Sequence, residues 1–153
     1  MADAVLSSYS PVPPHAGFST FRGEIGDPDI SIDVGQPLGP TLLSVAYAQA
    51  DDAATANVLG LASSAGEQAG SYRRGHVNIQ PIGPMALTTA QWDRVTGQVG
   101  GLTPFAPYYL SAAAPGMLTT TPPGGGFFVT PVGFGMNATT MMIQIAPAVF
   151  VIP

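Results

Sequence analysis

The last 59 residues of the chain, Val95 to Pro153, contain no Asp, Glu, Lys, Arg or His, and no apolar run in them is long enough to span a bilayer. A soluble monomer spreads charge over about a quarter of its residues, which keeps it hydrated and keeps copies apart. Here only 8% of residues are charged. A surface so poor in charge is expected to be covered by other polypeptide, and the chain reads as a subunit that works inside an assembly.

The length of 153 residues gives one domain enough material for a real core. The 16 Pro and 19 Gly would suggest disorder in a polar chain, but 46% of the residues are apolar, so ordered and rich in turns is the better description. That balance suits short strands joined by tight corners. The only basic residues are Arg22, Arg73, Arg74 and Arg94, against nine acids and a net charge of -5. Phosphate backbones are gripped by clustered cations, so nucleic acid is not an expected partner, and neither is a membrane. Without Cys there are neither disulfides nor thiolate metal sites. The first residues show no basic segment followed by an apolar run, so synthesis in a cytoplasm is expected.

Residues 1–40 read as an extended N-terminal arm. Ser10-Pro11-Val12-Pro13-Pro14 favours polyproline geometry, and Gly and Pro recur up to Pro40. Within the arm, Asp29 to Val34 alternates polar and apolar residues as a half-buried strand does. Residues 41–153 read as the β-domain, with strands expected at Leu42 to Ala48, Val58 to Ala62, Val77 to Ile82, Tyr108 to Ser111, Phe127 to Phe134, Met141 to Ala146 and Val149 to Ile152. Ala65-Gly66, Gly83-Pro84, Pro115-Gly116 and Pro122 to Gly126 serve as separators. Pro131 inside one strand predicts an edge or a bulge there. Thr88 with Gln91 three positions on predicts a capped short helix that presses Trp92 onto the sheet. The expected fold is therefore all-β: a small antiparallel β-sandwich or barrel, an extended arm, and one short helix near Trp92.

Catalytic chemistry is not expected. The two histidines, His15 and His76, have no nucleophile motif near them. Asp27, Asp29, Ser31 and Asp33 fall at every second position, as oxygen ligands of a calcium loop do, but Val34 stands where the turn requires Gly and the closing Glu is missing. Gly124-Gly125-Gly126 lacks the Lys and Ser or Thr of a phosphate loop. No catalytic, metal or cofactor-binding residue is assigned.

Gly100-Gly101-Leu102-Thr103-Pro104 is followed by Tyr108-Tyr109-Leu110-Ser111, Pro115-Gly116-Met117-Leu118-Thr119, Val132-Gly133 and Thr139-Thr140-Met141-Met142-Ile143. Together with Val58-Leu59-Gly60-Leu61-Ala62, this succession resembles a β-domain of tailed-bacteriophage structural proteins over about residues 44 to 152. The chain departs from that pattern at Phe105 and Pro107, where the family commonly has Gly and a small residue, and at Phe134, where smaller residues are usual. The resemblance implies a virion component made in the host cytoplasm. In the leading reading it is a capsid decoration (cement) protein, a homotrimer that binds the major capsid protein. The alternative is a fibre, spike or adaptor module. A carbohydrate-binding module, using Trp92, Tyr108 and Tyr109 as a stacking platform, is a third reading.

Overall fold

A computed structural model describes residues 20–26, 31–42, 44–66 and 75–153. It is all-β apart from one short helix, and its paired strands run antiparallel in two five-stranded sheets and a two-stranded ribbon.

The first sheet is built from β1 (Phe21–Glu24), β2 (Pro37–Pro40), β3 (Val45–Tyr47), β4 (Gly60–Ala62) and β5 (His76–Gln80), in the order β1-β5-β4-β2-β3. A bridge between Ile25 and Val45 brings the end of β1 round to β3, so the sheet curls into a small barrel closed at one point. Ile25, Ile32, Leu38, Val45, Ala62, Val77 and Ile79 fill its interior. Closure this tight needs a residue without a side chain on β1. A Cβ on Gly23 would lie 2.8 Å from the Ile79 Cδ1 and 3.0 Å from the Val45 methyls.

The second sheet has the order β6-β11-β10-β7-β8, formed by β6 (Ile82–Ala86), β7 (Pro107–Leu110), β8 (Leu118–Thr119), β10 (Pro131–Gly135) and β11 (Thr140–Gln144). Only Pro81 separates β5 from β6, so one nearly continuous strand passes from the first sheet to the second. The inner face carries Met85, Tyr108, Leu110, Leu118, Val132, Met141 and Ile143. These side chains pack with Ala48, Ala50 and Leu61 from the first half, and with Trp92 and Val95 of helix α1 (Thr89–Thr96). The ribbon pairs β9 (Phe128–Val129) with β12 (Val149–Phe150).

Helix α1 forms as its sequence predicts. The Thr88 side chain accepts from the Gln91 N–H, and the Gln91 side chain accepts from the Thr88 N–H at 2.9 Å. Gly97 ends the helix at φ 68 and donates to the Asp93 carbonyl. Trp92 is completely buried, with its indole N–H bonded to the Thr139 carbonyl at 2.9 Å. The bulge predicted at Pro131 is present as a shift of register between Pro131 and Gly133.

Three expectations need correction. The described part of residues 1–40 is not a free arm, because β1 and β2 are strands of the first sheet. Ser31 to Asp33 carries no strand and Val34-Gly35 is a turn, while Asp27 to Ile30 lies outside the described residues. Gly83-Pro84 is not a separator but the middle of β6. That strand is the edge of its sheet, where the missing Pro N–H costs no ladder bond.

The halves are stitched by hydrogen bonds across the chain. The Ala50 N–H donates to the Ser111 carbonyl at 2.9 Å, and the Phe128 N–H to the Ala50 carbonyl at 2.8 Å. Thr130, completely buried, donates its hydroxyl to the Ala56 carbonyl at 2.8 Å.

Candidate interaction surface

Residues with acid–base potential are scattered or committed to structure. His76 lies on β5 opposite Glu24, and His15 is outside the described residues. Asp93 accepts from the N–H groups of Gly100 and Gly101 at 3.1 and 2.6 Å, holding the loop that follows the helix. The Tyr47 hydroxyl donates to the Ser31 carbonyl. Burial raises its pKa above the ordinary value of 10.0, and the Asp33 carboxylate adds to the rise, so it stays protonated at neutral pH. Among the described residues no group of three or more His, Cys, Asp or Glu could hold a metal ion, and no helix is long and apolar enough to cross a membrane.

The aromatic platform of the carbohydrate reading is not available as such. Trp92 and Tyr108 are both completely buried. The Tyr108 hydroxyl is engaged twice, donating to Gln98 Oε1 at 2.7 Å and accepting from the Thr103 N–H at 2.8 Å. Only Tyr109 of the three has partial exposure.

What the second half does present is apolar surface. Strict alternation on β6 buries Gly83 and Met85 and turns Ile82, Pro84 and Ala86 outward. Registers then carry one row across four strands of the outer face: Pro84 on β6 faces Met142 on β11, Met142 faces Phe134 on β10, and Phe134 faces Pro107 on β7. At the end of this row the Phe105 N–H donates to the Gly135 carbonyl at 2.7 Å, which sets Phe105 beside the backbone between Phe134 and Met136. Phe105 is 84% exposed. Its φ is 61, the only positive value at a non-glycine residue among the described residues. The left-handed region costs an L-residue roughly 1–2 kcal/mol, and a bulky side chain there gains nothing from solvent. Pointing outward on such a backbone, Phe105 has the exposure expected of a contact residue.

The sequence marks Phe105 and Phe134 only as departures from a resemblance, Pro84 only as part of a separator, and Met142 only within the motif of the final apolar strand. Composition shows that a surface lacks charge, whereas register decides which apolar residues share a face. Among the described residues, nine of the eleven exposed large apolar residues lie between Ile82 and Ile152. No protein-family model matches the chain, no curated protein matches it in sequence, and no solved structure matches it.

Proposed function

We propose that this protein is a structural subunit of a tailed-phage virion that decorates and stabilises the capsid by binding the major capsid protein. One observation carries the reading: a half-molecule whose only charged residues are Asp93 and Arg94 turns the row Pro84, Met142, Phe134 and Pro107, with Phe105 at its end, toward the outside. Apolar patches on soluble monomers are small, and larger ones mark contact sites. Each Å² removed from water contributes about 25 cal/mol, and rigid aromatic anchors at the centre of an interface carry most of its energy. Mass action and slow unfolding then give the persistence that a particle outside a cell requires. The assignment to a phage particle is supported by the ordered motifs from Gly100 to Ile143. Self-association is supported by the same lack of charge.

The test uses capsids prepared without the protein. Added wild-type chain binds in proportion to the number of capsid subunits and raises the temperature at which the shell disrupts. Phe134→Lys, placed on the outer face, weakens that binding about tenfold or more while folding is unchanged. Absence of binding to any shell refutes the reading. Binding confined to one vertex or to the tail replaces decoration by the adaptor alternative.

A further inference from the structure

We propose that the ribbon strand β12 is an open docking edge that pairs with β12 of a second copy, antiparallel and about a two-fold axis. Backbone groups of an extended strand alternate between its two sides. The Val151 N–H donates to the Phe127 carbonyl at 2.9 Å, and the Val151 carbonyl accepts from the Gly126 N–H at 2.8 Å, so Val151 bonds inward to its own hairpin. The N–H and C=O of Phe150 and the N–H of Ile152 are therefore directed to the opposite side. On the other strand, the Phe128 N–H points away from β12 to the Ala50 carbonyl, so the inner edge of the ribbon is covered. The outer edge is not. No hydrogen bond to the main chain of Phe150 or Ile152 on that side is found among the described residues.

The side chains along this edge are apolar and outward: Val149 is 62% exposed, Phe150 48% and Ile152 82%. Phe150 also stacks at a tilt on Phe128, ring centroids 5.2 Å apart, which stiffens the strand. Of the devices by which natural proteins blunt a free edge, Lys and inward charges are excluded in a stretch without ionisable residues, which leaves the shortness of the strand and the flanking Pro147 and Pro153.

Charge selects the occupant. All thirteen Asp, Glu, Lys and Arg residues, with their net charge of -5, precede Val95, so like-charge repulsion opposes contact between copies through the first half. Through β12 two copies meet with no charge on either side. A charged partner would find no complementary group there, whereas a second copy brings the same unpaired groups in self-complementary order. With Val151 opposite its symmetry mate, Phe150 of one copy faces Ile152 of the other, and the Ile152 N–H of each copy meets the Phe150 carbonyl of its mate. The contact is two-fold, in contrast to the three-fold assembly that the phage resemblance implies. It shares with the capsid reading only the premise that the chain is an assembly subunit.

Sedimentation of the full chain is expected to show a concentration-dependent dimer. Phe150→Pro removes an outward N–H and leaves the inward bonds of Val149 and Val151 in place, and raises the dimer dissociation constant about tenfold or more. Ile152→Lys, a charge at the same edge, has the same effect without a proline, and melting curves check that both variants fold. The chain has no Cys, so single cysteines report register. Val151→Cys, at a directly opposed position where Cα atoms approach to about 4.5 Å, forms an oxidised dimer much faster than Val149→Cys. A chain that stays monomeric or forms a trimer overturns the pairing, as does equal cross-linking at the two positions or a dimer indifferent to both edge substitutions. Dimers that ignore capsids support the pairing and refute only the capsid reading.

Discussion

The two halves of the molecule solve the same problem in opposite ways. Each arranges five strands in a sheet, and each sheet has edges that must be dealt with. The first half bends until Ile25 meets Val45, hides its apolar residues inside the curl, and leaves Arg22, Asn78 and Glu24 along the outer side of β1 and β5. The second half stays open. It buries one face against the helix and the barrel, leaves the other apolar, and adds a ribbon whose edge is unpaired. The first half is closed and carries most of the charge, whereas the second half is open, nearly uncharged and apolar on its outer face, the combination on which the proposed docking role rests.

The largest expected effect tests whether the open half depends on its helix for a core. Trp92→Ala removes the biggest completely buried side chain and its bond to Thr139, at a cost of about 3–5 kcal/mol in denaturant unfolding. Two separate transitions, with the barrel surviving the first, would show that the halves are independent units. A single transition shifted as a whole would show that they fold as one.

The joint between the halves is the next target. Thr130→Val keeps the volume of the side chain but leaves the buried Ala56 carbonyl without its partner, and a loss of about 1–3 kcal/mol is expected. A change smaller than the error of the measurement would mean that the other bonds between the halves and their shared core hold them together without it.

The smallest effect has the opposite sign. Phe105→Gly relieves a left-handed backbone and is expected to stabilise the isolated chain by about 0.5–1 kcal/mol, the greater freedom of unfolded Gly offsetting part of the gain. The same substitution weakens capsid binding if Phe105 is a contact residue. A loss of stability instead would show that the ring is held by packing within its own chain.

Much of this contrast could be read along the chain, and its limits have physical causes. The apolar run that begins at Val77, the capping pair Thr88 and Gln91, and the proline that predicted a bulge are local signals, and the structure realises each. Strands β1 and β2 escaped notice because their glycines and prolines look like an arm. Gly23 is required by the closeness of Ile79, which lies far along the sequence, and Pro37 and Pro40 sit at strand ends where no N–H is needed. Strand β8 has only two residues, too few for any period. The lack of charge predicts an apolar surface, but the row from Pro84 to Pro107 exists only through pairing of distant strands.

The bond from Thr130 to Ala56 joins residues 74 positions apart. At about 5–20 residues per second, a ribosome needs several seconds after making Ala56 to supply its partner. The barrel can therefore close while the rest of the chain is still being made, whereas the open sheet with its apolar outer face is completed last. The order of synthesis thus delays the half with the exposed apolar face until its own scaffold already stands.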